Sequence, residues 1–90
     1  MRMAFRVHGR VQGVGFRYYV REQAWDLGIA GWVRNEFDGT VTGEAAGEPL
    51  LMEEFHRILM RGTSMSYVTR LDWTPLEEGQ SSPLPFEVRG

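Results

Sequence analysis

The stretch Val7-His8-Gly9-Arg10-Val11-Gln12-Gly13-Val14-Gly15-Phe16-Arg17 changes its hydrophobic period partway along. Upstream of the glycines, Met3, Phe5 and Val7 alternate with Ala4, Arg6 and His8, the period of two of a half-buried strand. Downstream, Phe16, Val20, Ala24 and Leu27 recur at helical spacing with Glu22, Gln23 and Asp26 between them, and Gly28 follows as a stop. Gly9, Gly13 and Gly15 lie between the two patterns, so Gly9 to Gly15 reads as a loop from a strand into a helix.

The remaining elements follow outward from that unit. Ile29 to Asn35 and Thr40 to Ala46 read as strands joined by Glu36-Phe37-Asp38-Gly39, whose Asp-Gly pair signals a hairpin. A second helix opens on Pro49, carries Glu53 and Glu54 early and Arg57 and Arg61 late, as the helix dipole favours, and is capped by Gly62. Its apolar stripe is Leu51, Met52, Phe55, Ile58 and Leu59. Tyr67 to Thr74 and Pro85 to Arg89 read as closing strands, with a loop over Glu77 to Pro83. The order β-α-β-β-α-β plus a short C-terminal strand predicts an α+β fold. It is a ferredoxin-like α/β sandwich with both helices on one face of a mostly antiparallel sheet. A chain of 90 residues is expected to form a single domain over 1–90.

Composition narrows the chemistry. Ten Lys and Arg against 12 Asp and Glu leave a net charge of −2, which argues against nucleic acid held by counterion release. The absence of Cys excludes disulfides, thiolate zinc sites, iron–sulfur ligation and cysteine nucleophiles. The N-terminal Met-Arg-Met-Ala-Phe-Arg-Val lacks the long apolar run of a signal peptide, and no run approaches the ~20 apolar residues of a membrane span. A cytoplasmic protein without membrane or nucleic-acid partners is the expectation.

A glycine-rich loop entering a helix suits an anion, because its N–H groups can converge and the helix dipole adds positive potential. Arg17 stands at that helix start, where its planar fork can close on a phosphoryl or carboxylate group. Such turns are as often purely structural. The Walker A Gly-Lys-Ser/Thr and the Gly-x-Gly-x-x-Gly pattern are both missing, so an anion held here is a small one. Gln12 reads as a loop residue bonding locally, and Arg10 as a site or solvent residue. His8 and His56 read as structural or surface residues, since two histidines on different elements without patterned carboxylates do not make a metal site.

Gly31-Trp32-Val33-Arg34-Asn35 ends the second strand, which runs parallel to the first, so Asn35 returns beside the glycine loop. An amide both donates and accepts, and can hold a water against a phosphoryl group, but it is no general base. No carboxylate pair, Ser-His arrangement or Asp-x-Asp motif accompanies it. Hydrolysis at such a site requires an activated substrate, and a carboxylic–phosphoric anhydride qualifies because its departing carboxylate needs no proton.

Both segments resemble the acylphosphatase family. Val7 to Arg17 fit its signature V-x-G-x-V-Q-G-V-x-F/Y-R, and Gly31 to Asn35, Gly39-Thr40-Val41 and Gly47 fit its second. The resemblance implies hydrolysis of acyl phosphates to a carboxylate and inorganic phosphate. Arg17 would bind the phosphate, Asn35 position the water, and the backbone of Gly9, Arg10, Val11, Gln12, Gly13, Val14, Gly15 and Phe16 form the cradle. It also implies no metal or organic cofactor, and that the substrate's own phosphate accepts the proton. The expected partners are a small acyl phosphate and inorganic phosphate, and the expected state is a monomer. Gly62-Thr63-Ser64 departs from the Gly-Pro usual there, and residues 73–85 are individual.

A binding module of the RNA-recognition type shares the element order, and Tyr67, Trp73 and Trp32 would be its stacking aromatics. The net negative charge and the missing Arg/Lys-Gly-aromatic strand motif stand against it. A degenerate domain that binds phosphate without turnover is a third reading.

Overall fold

The computed structural model describes residues 1–90. Strand β1 (Arg2–Arg10) leads through the glycine loop into α1 (Phe16–Leu27), followed by β2 (Ala30–Asn35), β3 (Val41–Ala46), α2 (Pro49–Arg61), β4 (Tyr67–Pro75) and β5 (Glu87–Arg89). The strands form one five-stranded sheet in the order β4-β1-β3-β2-β5. Every pairing is antiparallel except that of β2 with β5. Because β1 and β2 are both antiparallel to the intervening β3, they run parallel to each other, and their C-terminal ends emerge at the same edge of the sheet.

The helices start and stop where local chemistry dictates. Gly28 caps α1 in the left-handed region with its N–H directed at Ala24 and Trp25 carbonyls. Pro49 opens α2, and the Gly62 N–H returns to the Ile58 carbonyl. The apolar period set by the sequence is the one that buries. Met3, Phe5 and Val7 of β1, Val33 of β2 and Val41 and Ala45 of β3 face Phe16, Val20 and Ala24 of α1 and Met52, Phe55 and Leu59 of α2. Phe55 stands at the centre, edge-on to Phe5 at 6.1 Å and to Phe86 at 6.0 Å between ring centroids.

Some details differ from what the sequence predicts. Gly9 and Arg10 belong to β1 and not to the loop, pairing with Val68 and Tyr67 across an irregularity between His8 and Gly9. A side chain at Gly9 would run into the Tyr67 carbonyl oxygen, so glycine is what lets β4 come this close. Helix α2 begins at Pro49 as expected, but Glu53 and Glu54 fall beyond its first turn, which holds no acid, so they do not serve its dipole. The last strand is shorter than Pro85 to Arg89, spanning only Glu87–Arg89.

Truncating Phe55 removes the ring that joins β1, α2 and the approach to β5. Phe55→Ala is expected to destabilise the protein by about 3–5 kcal/mol. Equilibrium urea unfolding measures this, and a loss below ~1 kcal/mol would contradict the packing described.

Candidate active site

The loop reduces to Val11–Gly15, between the end of β1 and the start of α1. Gly13 and Gly15 take φ values of +73° and +74°. A side chain at either would meet no atom, so the left-handed backbone and not crowding calls for glycine. Alternating such residues with Gln12 and Val14 curls the chain so that successive N–H groups share a concavity. No backbone N–H from Val11 to Gly15 donates to a backbone carbonyl. Gly15 is also the N-cap of α1, with no side-chain cap, so the first-turn N–H groups from Phe16 onward add to the same donor row. Val11 and Phe16 are buried and anchor the ends of the loop, while Gly13 and Gly15 are exposed. Gly9 and Arg10 lie outside this arc, in the β1–β4 ladder.

Arg17 is half-buried on the first turn of α1. Its Nη1 donates to the Arg89 carbonyl at 3.4 Å, a weak contact that nonetheless leans the guanidinium toward β5. Arg89 is paired with Arg34, the residue before Asn35. The contact therefore brings the Arg17 head to the end of the sheet where β2 finishes.

Asn35 pairs with Val41, and Val41 with Val7. Residues in one such row point to the same face, and Val7 and Val41 are core residues. Asn35 therefore faces the helix layer, roughly 10 Å from Val7 across two strand spacings. Its Oδ1 is buried and no donor of the protein reaches it. A buried acceptor left unmatched costs about 1–3 kcal/mol.

The hairpin carrying Asn35 is tied to the loop by Gln12, whose Nε2 donates to the Glu36 carbonyl at 2.7 Å and the Thr40 carbonyl at 2.9 Å. The sequence alone predicts local bonding from Gln12. Its partners are 24 and 28 residues away, and no pattern in the chain announces a side chain that bonds to distant backbone carbonyls. The supporting role of the Arg89 carbonyl escaped the sequence reading for the same reason.

The opposite face of the sheet is covered by paired charges. Arg6 bridges Asp38 at 3.1 Å, Arg34 bridges Glu36 at 2.8 Å, and His8 Nε2 donates to Asp72 at 2.8 Å. A concavity of about 400 Å³ lies there, lined by Arg6, Trp32, Arg34, Glu36 and Asp72 among others, with no residue of the loop in its lining. Hydrogen bonds from Thr42 and Arg34 hold the Glu36 carboxyl below its usual range. The Thr40 hydroxyl and N–H do the same for Asp38, and His8 and then Arg70 for Asp72. Trp32 lies on this open face with the Arg34 and Arg89 guanidinium groups 5.1 and 4.9 Å from its ring. Trp73, aligned with Phe5, instead meets His56 of α2 edge-on at 5.0 Å. The aromatics proposed for an RNA-type platform thus lie on opposite faces. Tyr19 donates to the Ile58 carbonyl and Trp25 to that of Phe86, packing α1, while Tyr18 is exposed. No group of three or more His, Asp or Glu side chains is gathered to hold a metal ion.

Depressed carboxyl pKa values make the folded state release protons that the unfolded chain still binds. Their stabilisation is full above the unfolded values, about 4, and is lost as pH falls through the lower folded values. Urea unfolding across pH 2–6 should show stability dropping in that acid window, with a shallower drop in Asp38→Asn. An unchanged slope in the variant would remove Asp38 from this account.

Comparison with known proteins agrees with the arrangement. The sequence model of the acylphosphatase family matches residues 3–87. The chain is similar to the acylphosphatase of a Nocardioides species, 48% identical over 66 residues, covering 73% of this chain and 67% of that one. It is also similar to the acylphosphatase of Rhizobium etli, 39% identical over 85 residues and covering 94% and 89% of the two chains. The crystal structure of acylphosphatase from Bacillus subtilis superposes with a TM-score of 0.87 at 35% identity, over 99% of this chain and 98% of that one. With the family model matched over residues 3–87 and the fold superposing along nearly the whole chain, the chain belongs to the acylphosphatase family.

Proposed function

We propose that the protein hydrolyses the mixed anhydride of acyl phosphates, with the loop Val11–Gly15, the first turn of α1 and Arg17 gripping the phosphoryl group and Asn35 directing the water. The observation that carries this reading is the buried Asn35 Oδ1 with no protein donor, on the helix-layer face at the edge where the loop with its unbonded N–H groups leaves β1.

The water's O–H donates to Asn35 Oδ1, which turns an oxygen lone pair toward phosphorus. As the new P–O bond forms, the bond from phosphorus to the acyl oxygen breaks, and the electron pair leaves on the carboxylate. The water's proton passes to a phosphoryl oxygen. An acyl phosphate dianion and water thus become a carboxylate monoanion and dihydrogen phosphate, with charge conserved. No general acid is needed, because a carboxylate is a stable leaving group at neutral pH. No general base is needed, because the phosphoryl oxygens take the proton.

What the chain contributes is placement and charge compensation. Fixed N–H dipoles and one guanidinium face the oxygens on which negative charge is redistributed, without reorganising during the step. Gly9 and Arg10 serve the reading as the strand end that launches the loop, and Val14 and Phe16 as its buttresses. Because the grip is on the phosphoryl group alone, acyl groups of differing shape are accepted. One chain carries the whole site, so we read it as working as a monomer on a small dissolved substrate, in the cytoplasm and without metal, cofactor or nucleic acid. No helix is long and apolar enough to cross a membrane.

Phosphate release from benzoyl phosphate tests the assignment. Asn35→Ala should lower kcat by about 100-fold or more while inorganic phosphate still competes with nearly unchanged affinity. Arg17→Ala should weaken phosphate competition and lower kcat/KM by at least about 100-fold. Full turnover in either variant with the fold intact, checked by circular dichroism, would remove that residue from the mechanism.

A further inference from the structure

The turn after Asn35 is closed by two backbone bonds, from the Glu36 N–H to the Thr40 carbonyl at 2.9 Å and from the Gly39 N–H to the Glu36 carbonyl at 3.2 Å. Each of these carbonyl oxygens has one lone pair remaining, and Gln12 fills both. Its amide nitrogen carries two hydrogens, and its two short contacts are both to acceptors, so each hydrogen is committed to one carbonyl. These are the sole hydrogen bonds between the Val11–Gly15 loop and the hairpin; one attaches at Glu36, the residue after Asn35, and the other at Thr40 on the far side of the turn. The bonds from Arg6 to Asp38 and the Thr40 hydroxyl come from the open face of the sheet and involve no loop residue.

We infer that Gln12 is a positioning residue for hydrolysis, a side-chain strut that sets the separation between the anion-holding loop and the Asn35 amide. The inference rests on the assignment of the water to Asn35. Its own content is distinct: the loop residue between β1 and the glycines acts through a second element. With both amide hydrogens engaged on the hairpin, the side chain offers none to the anion, and its contribution to phosphate binding is that of its backbone alone. Loss of the strut leaves the loop able to bind phosphate, while the amide and its water sit at a variable distance from phosphorus. A misplacement of this kind lowers the rate of the chemical step without lowering affinity for the anion.

The test is a double-mutant cycle on turnover of benzoyl phosphate, with inorganic phosphate as competitive inhibitor. Gln12→Met keeps the length of the side chain and removes its donors. The expected result is a fall in kcat of about tenfold or more, with the phosphate inhibition constant changed less than about threefold. In an Asn35→Ala background, assayed at raised enzyme concentration, the same change should alter kcat less than about twofold, because the amide it positions is gone. Gln12→Asn is one methylene too short to span both carbonyls, gives the same pattern, and decides the matter if the Met variant fails to fold. Equal losses in the two backgrounds would overturn the inference and make Gln12 an independent contributor. A phosphate constant rising in step with the loss of kcat would also overturn it, placing Gln12 in the grip itself. Full activity of Asn35→Ala alone would remove both this inference and the reading beneath it, whereas additive losses with an impaired Asn35→Ala remove only this one.

Discussion

Everything at the site depends on β3 lying between β1 and β2. That placement separates two strands consecutive in the chain by a full strand width and makes them parallel, so the segments leaving both must emerge at one edge. One of these segments is the glycine loop and the other is the hairpin with Asn35. The arrangement is held by the buried row of Val7 and Val41, which continues into Asn35 without a change of face. A one-residue slip of β2 on β3 would turn Asn35 to the open side and Arg34 into the core. Burial of Val33 and Gly31 on the helix side enforces the register, and the site inherits its geometry from the apolar packing.

Much of this is legible in the chain because the signals are local. The period of two through Met3, Phe5 and Val7, the helical spacing from Phe16 to Leu27, and the Pro49 to Gly62 frame of α2 each specify an element from neighbouring residues. Arg17 and Asn35 are legible through spacing and parallel-strand logic. The structure puts both at the same edge, one leaning on β5 and the other facing the helices. The boundaries at Gly9 and Arg10 are not legible, because what lengthens β1 is pairing with β4 some 58 residues further on. Gln12 is a harder case. Glutamine in a loop carries no sign of its acceptors, and these are carbonyls that exist as a pair only once the hairpin has closed.

The chemistry fits the poverty of the catalytic inventory. The histidines are engaged elsewhere, one with Asp72 and the other with Trp73, on residues that do not border the loop. The perturbed carboxyls all lie on the far side of the sheet or at the hairpin tip, where they neutralise arginines. What remains near the loop is a set of hydrogen-bond donors and one amide, that of Asn35, whose oxygen is unengaged. That set suits a reaction whose bond is already weak and whose leaving group is already stable, and little else. The paired charges of the open face have their own effect: they cover a sheet surface that is otherwise bare of helices with a mosaic close to neutral.

The short strand β5 joins two responsibilities in one residue. The carbonyl of Arg89 steadies Arg17, while its guanidinium covers Trp32 on the other side of the sheet. Yet this rim segment is only Glu87–Arg89, paired in the sheet with β2 alone, and edge segments of this kind detach before a core does. Warming should therefore blunt anion affinity while the aromatic interior still gives its native near-ultraviolet signal, so heat inactivation and melting become two separate events.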